Sequence, residues 1–305
     1  MVLANPIVNG EREDGFESTV ALGAEFNGSA FSACTGNLIT SRIVLSAAHC
    51  SADLPTSLLL DMGRAFFGDD VEDAEHVMEL ESVTVHPDYV PLQSGTSNTG
   101  EYDLGILVLA EDAPYRPTPI RRDLWSRQEL PADIVSVGFG TTDGASGRGS
   151  GKKRSAELTV DDLDRMFLYS NSDTNPDNAQ ICSGDSGGPQ FQWIEDQWVQ
   201  VAVHSWGDTD CEILSGSTRV DKVEEWIFDQ IEETHGTRDW CDASGLYGDG
   251  ACDDFCEDVD PDCIEDTGVE EGDGEGLGCG CAQTPGPAQS APWLLALLGL
   301  VRRRR

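Results

Sequence analysis

Gly184-Asp185-Ser186-Gly187-Gly188-Pro189 sets one nucleophilic hydroxyl among glycines and closes with a proline. The glycines let the backbone turn tightly enough for successive N–H groups to point at one spot. The N–H groups of Gly184 and Ser186 are then placed to hold the oxyanion of a tetrahedral intermediate formed at Ser186. At average composition such a string arises by chance in a chain of this length with a probability on the order of 10⁻⁵, so it reads as a site rather than an incidental turn.

A serine hydroxyl is a weak nucleophile until a base removes its proton. The histidines are His49, His76, His86, His204 and His235. His49, in Leu45-Ser46-Ala47-Ala48-His49-Cys50, ends an apolar run that begins near Asn37, and Cys34 and Cys50 flank that run. The base needs a carboxylate in a mostly apolar setting. Asp103 provides one at the head of Leu104-Gly105-Ile106-Leu107-Val108-Leu109, whereas the other acids sit among charges and read as solvated.

Composition narrows the class. The chain has 305 residues, with 56 acidic against 19 basic residues and a net charge of -37. A field of that sign repels nucleic-acid backbones and anionic lipid headgroups, so neither is an expected partner. At 39% hydrophobic residues, the chain is too apolar for a disordered acidic polymer and should pack a core. The even count of ten cysteines suggests disulfides formed outside the cytoplasm.

From residue 7 to about 220, short apolar runs alternate with Gly, Pro, Asn and Asp: Asn37–Ala47, Leu58–Met62, Val83–His86, Leu104–Ala110, Ile134–Phe139 and Trp198–Trp206. This predicts an all-β barrel or sandwich. Thr141–Gly151 reads as a mobile Gly/Ser loop. Val220, Val223, Trp226, Ile227 and Ile231 fall at helical spacing, which predicts one closing helix that ends near Gly236.

Together the motifs make the chain resemble the trypsin–chymotrypsin family of serine endopeptidases over 7–235. Ile7-Val8-Asn9-Gly10 matches the family's mature amino terminus, Ala47–Cys50 its histidine motif, Asp103-Leu104 its aspartate motif and Gly184–Pro189 its serine motif. Ser205-Trp206-Gly207 matches the strand that binds the substrate main chain. The order His, Asp, Ser is the one this fold uses. The resemblance implies two six-stranded antiparallel β-barrels followed by a C-terminal helix, with the site in the cleft between the barrels. It implies His49, Asp103 and Ser186 as catalytic residues, Gly184 and Ser186 as the oxyanion hole, and a hydrogen bond from Ser205 toward Asp103. It implies disulfides Cys34–Cys50 and Cys182–Cys211, a peptide or protein substrate, no metal or organic cofactor, and a monomer. Activation would free the Ile7 ammonium to pair with Asp185. Pro6, however, precedes Ile7 where many zymogens carry Arg or Lys, so another enzyme or another route of maturation is expected.

Six positions before the nucleophile, where the family sets its pocket floor, stands Gln180, which supplies no carboxylate for a Lys or Arg side chain. Gly207 and Gly216 leave the pocket open. His204 and Ser183 resemble the glutamate-specific members of the family, so Glu or Gln is expected ahead of the cut, with a medium apolar residue as the alternative.

The appendages read separately. Residues 1–6 are a leader remnant without a recognisable signal peptide. Residues 236–263 form an acidic module with Cys241, Cys252, Cys256 and Cys263, which admit three pairings. It resembles small Cys-rich modules of secreted bacterial proteins, with a spacer or adhesion role. Asp249, Asp253, Asp258, Asp260 and Asp262 there offer oxygens of the kind calcium takes, although their spacing is not that of an EF-hand. Residues 264–278 are an acidic Gly-rich linker. Residues 279–305 hold Cys279-Gly280-Cys281, a short apolar run and Arg302–Arg305. They resemble the C-terminal sorting tag of myxobacterial surface proteins, which membrane-associated machinery would read. The expected product is a secreted or cell-surface endopeptidase. The rival readings are a non-catalytic adhesion protein on the same fold and a protease that cuts only itself.

Overall fold

The computed structural model describes residues 7–92 and 100–263. The leader remnant, the linker 264–278 and the sorting tail 279–305 lie outside the described residues. The strands are β1 (Glu11–Arg12), β2 (Thr19–Phe26), β3 (Ser29–Leu38), β4 (Ile43–Ser46), β5 (Gly63–Phe67), β6 (His76–Val85) and β7 (Gly105–Leu109), then β8 (Ala132–Gly138), β9 (Arg154–Leu163), β10 (Phe167–Asn171), β11 (Pro189–Ile194), β12 (Gln197–Gly207) and β13 (Leu214–Arg219). The first barrel closes in the order β2-β3-β4-β7-β6-β5. The second runs β8-β9-β10-β13-β12-β11 and closes through β11 on β8, while β1 pairs with β9. Every strand pair in both is antiparallel. The expected pair of six-stranded barrels is what the chain forms.

Local chemistry explains the elements. β2 turns into β3 at Asn27-Gly28, both at positive φ, which suits the right-handed twist of a tight hairpin. Val20, Leu38, Val44, Phe67 and Leu109 fill the first barrel. Ile134, Leu158, Leu168 and Val201 fill the second. A third cluster joins them: Ile43, Leu45 and Ile106 of one barrel meet Phe167 and Val203 of the other. Helix Glu224–His235 lays Ile227, Phe228 and Ile231 on this seam. It ends at Gly236, whose left-handed φ of 75° suits a glycine and whose N–H bonds Glu232 O at 2.8 Å.

One reading changes. Leu58–Met62 is not a strand but part of a helix, Thr56–Met62, entered from Pro55. A run of five residues carries too little periodicity to separate the two, and the preceding proline favours a helix start. The loop 141–151 is closed by its own hydrogen bonds, from Thr142 N to Arg148 O at 2.8 Å and from Gly147 N to Asp143 O at 2.9 Å.

The Cys-rich stretch is not a detached spacer. Its described residues belong to the same compact unit as the barrels. The short helix Trp240–Ser244, capped by Asp239, buries Ala243 in the inter-barrel cluster. Trp240 Nε1 donates to Ile39 O at 2.5 Å. Cys241–Cys256 and Cys252–Cys263 are the pairings. Arg116 ties Asp249 and Asp253 to the inter-barrel connection, and Arg122 bonds both Glu224 and Glu257.

Those contacts also bear on calcium. Asp260 accepts N–H groups from Gly248, Asp253 and Asp262, and Asp262 accepts from Gly250. Among the described residues, one group of three acidic, His or Cys ligand atoms falls within 4.8 Å, Cys34, His49 and Cys50, and its cysteines are joined to each other. Calcium needs six to eight oxygens around one point, and the five aspartates do not converge in that way.

Candidate active site

The Ser186 turn is pressed against the first barrel. Gly184 and Gly187 have φ of +93° and +81°. A Cβ on Gly187 would lie 2.0 Å from Ser46 Oγ and 2.3 Å from Thr35 O. Thr35 clamps the turn from β3: its N–H donates to Ser186 O at 2.8 Å, and its hydroxyl donates to Gly184 O at 2.8 Å. Thr35 had no signal in the sequence, since one threonine in a strand carries no motif.

An account of the turn's backbone donors shows what is left for a substrate. Asp185 N bonds Cys182 O, Gly187 N bonds His204 O and Gly188 N bonds Asp185 O. The N–H groups of Gly184 and Ser186 donate to no acceptor among the described residues. They are the two N–H groups that the family resemblance assigns to an oxyanion hole. Beneath them Asp185 is fully buried and accepts from Gly140 N and Cys182 N, each at 2.8 Å. Burial pushes its carboxyl up to about 7, against the pull of those two N–H groups and of Arg154.

His49 sits in a single helical turn after β4, and Asp103 immediately before β7. Asp103 accepts from His49 N at 2.9 Å, lies 2.7 Å from His49 Nδ1 and accepts from Ser205 Oγ at 2.6 Å. A carboxylate at Nδ1 favours the tautomer with its proton on that nitrogen, which leaves the Nε2 lone pair free. Ser186 Oγ makes no hydrogen bond among the described residues. Its place beside the histidine turn is set by Thr35 and by Cys50 Sγ, 3.7 Å from Ser186 O. Disulfides Cys34–Cys50 and Cys182–Cys211 fasten the two halves, as expected.

A cavity of about 200 Å³ opens beside Ser186, and it brings together Ser183, His204, Ser205, Trp206 and Gly207 with Asp208 and Thr209, which carried no sequence signal. Two expected lining residues are elsewhere. Gln180 is fully buried, and its side chain is engaged: Nε2 faces Ser170 O and Ile213 O, while Oε1 accepts from Ile181 N and Ser215 Oγ. A glutamine amide needs two acceptors and two donors, so this one is satisfied inside the protein and does not serve as a floor. Gly216 lies under the Trp206 indole, with no space for even a Cβ, and is a packing position.

His204 is wholly buried, with Nδ1 3.4 Å from Ser217 Oγ and Nε2 without a partner among the described residues. Burial pulls its pKa down to about 3. The unfolded chain therefore takes up this proton first on acidification, so the contribution to stability is full above pH ~6.5 and lost as pH falls toward the folded value. Between pH 6.5 and 4.5 wild type should lose about 2–3 kcal/mol relative to His204→Gln. Urea titrations of both proteins across that range check this. A gap that stays constant with pH contradicts it.

The trypsin family matches residues 7–227. The chain belongs to the trypsin family. It is 28% identical over 232 residues to CLIP domain-containing serine protease B4 of Anopheles gambiae, covering 65% of this chain and 62% of that protein. It is 31% identical over 219 residues to serine protease Hayan of Drosophila melanogaster, covering 62% of this chain and 33% of the relative. With serine protease 28 of Mus musculus it shares 25% identity over 229 residues, 65% of this chain and 78% of that one. The chain thus spans less than two thirds of the mosquito and fly proteins.

Proposed function

We propose that the protein is an exported serine endopeptidase that cuts peptide bonds after Glu or Gln. The observation that carries the catalytic part is the Asp103 carboxylate, which gathers His49 N, His49 Nδ1 and Ser205 Oγ beside a serine turn with two uncommitted N–H groups. In this reading His49 Nε2 takes the Ser186 proton as Oγ attacks the scissile carbonyl. Gly184 and Ser186 N–H hold the oxyanion, and the imidazolium returns its proton to the leaving amine. Water then repeats the sequence on the acyl-enzyme. A surface adhesion protein would need none of this, so the non-catalytic reading is not favoured. The four disulfides among the described residues support maturation in an oxidising compartment, secreted or at the cell surface.

The preference for Glu or Gln rests on His204. The Ser217 hydroxyl can donate to Nδ1 of a neutral ring, which would leave the proton on Nε2; His204 lines the cavity, and its Nε2 has no partner among the described residues. A buried donor of this kind is costly until a carboxylate or amide oxygen accepts from it. Profiling with a mixed peptide library should give dominant cleavage after Glu or Gln. His204→Ala should lower kcat/KM for a Glu substrate about 10- to 100-fold while Ser186 still takes a fluorophosphonate. Dominant cleavage after Arg or Lys contradicts the preference.

A further inference from the structure

Asp185 is the group under the oxyanion hole, and in the chain as written it faces an unusual electrostatic problem. Ile7 is fully buried, Val8 bridges Gln180, and Gln180 N bonds Val8 O at 3.0 Å, so the segment that begins the protease domain is already seated. Yet Pro6 is joined to Ile7, so the Ile7 nitrogen is an amide and carries no charge. A buried carboxylate without a counter-charge is costly.

Arg154 stands where a substitute would be needed. In the β8–β9 ladder it pairs directly with Gly138. Paired residues of an antiparallel ladder project to the same face of the sheet. The face in question is occupied by Asp185, because a Cβ on Gly138 would lie 2.1 Å from Asp185 Oδ1. The Arg154 side chain therefore leaves the strand on the side of the buried carboxylate. Its Nε and Nη1 are buried and have no partner among the described residues. Arg154 is the cation whose charge acts on Asp185. A partly buried guanidinium without a hydrogen-bond partner and a fully buried carboxylate thus lie on one side of the sheet, beyond ion-pair contact, and the positive charge lowers the cost of the negative one.

We infer that Arg154 is a positioning residue for the oxyanion hole, supplying the positive charge opposite Asp185 while residues 1–6 remain attached, so that the chain is an active peptidase before Pro6–Ile7 is cut. The inference rests on the serine peptidase reading above. Gly140 N and Cys182 N fix the orientation of Asp185, and the guanidinium charge favours its ionised form against the cost of burial, holding the 182–186 turn with Gly184 and Ser186 N–H directed at the substrate. Once an Ile7 ammonium exists, the same charge comes from a second source, and dependence on Arg154 falls.

The test compares two forms of the full chain, one with residues 1–6 retained and one beginning at Ile7, each checked by intact mass. The readouts are kcat/KM on the best library peptide and the rate of fluorophosphonate labelling. The wild-type form with residues 1–6 should work within about tenfold of the trimmed form. Arg154→Gln should lower the activity of the longer form about 100-fold or more, because it removes the charge that offsets a buried carboxylate, and that of the trimmed form by less than about fivefold. Arg154→Lys should restore the longer form, which a purely structural role of the arginine would not predict. A longer wild-type form 1000-fold weaker than a trimmed form that labels normally overturns the inference, and needs no variant to do so. An equal loss in both forms, or no loss in either, overturns it too. If the folded, trimmed wild type takes no label at all, the peptidase reading fails first and takes this inference with it.

Discussion

Asp103→Asn should leave the protein folded and lower kcat by about 10⁴-fold. The carboxylate holds His49 at two points, the backbone N–H at 2.9 Å and the ring Nδ1 at 2.7 Å, and takes a third bond from Ser205 Oγ at 2.6 Å. An amide of nearly the same shape keeps the packing at this 5% exposed position. Its NH2 group, however, would donate toward Nδ1 and so move the imidazole proton to Nε2. The base would then face Ser186 already protonated. Such an imidazole can neither accept the Ser186 proton nor gain from a neighbouring negative charge as it becomes an imidazolium. Steady-state kinetics on the best peptide check the size of the effect, and an unchanged melting temperature shows that it is chemical. A loss below tenfold in kcat would mean that Asp103 does not set the histidine tautomer.

Gly187→Ala should cost at least about 4 kcal/mol, by far more than an ordinary glycine substitution at positive φ. The methyl group would fall 2.0 Å from Ser46 Oγ, 2.3 Å from Thr35 O and 2.8 Å from Ala47 N. Two of these are backbone atoms of the first barrel and cannot swing away. The only relief is to lift the serine turn off Thr35, which separates Ser186 from the histidine side of the cleft. Gly28→Ala serves as the control: its φ is +75°, but nothing lies within 4 Å of the added carbon. That substitution should cost about 1–2 kcal/mol. Denaturant titration of both variants gives the comparison, and similar losses at the two sites would remove the steric account of Gly187.

The legible parts of the chain were those with local chemistry. A serine among glycines, a histidine after an apolar run and an acid heading another run are patterns within a few residues, and they pointed to His49, Asp103 and Ser186. The closing helix was legible because Ile227 and Ile231 repeat at its period. Other features depend on atoms brought together from distant positions. Thr35 acts on Ser186 across 151 residues of sequence, and nothing in its neighbours marks it. Gln180 holds the family's floor position in the string, yet Ser215 and Ile213 engage its amide and turn it inward. The Cys-rich stretch read as a separate module, of spacer or adhesion role, by its resemblance to small Cys-rich modules. Trp240, Ala243 and Leu246 are enough to dock it, with Arg116 and Arg122 neutralising its acids.

The central claim is that Ser186 is a nucleophile activated by His49 and served by Gly184 and Ser186 N–H. The most direct measurement is reaction of the folded protein beginning at Ile7 with a fluorophosphonate, read by intact mass and peptide mapping. The account predicts one adduct per chain, on Ser186, formed at least 100-fold more slowly in His49→Ala. A folded protein that takes no adduct, or one that takes it elsewhere while Ser186 stays free, would contradict it.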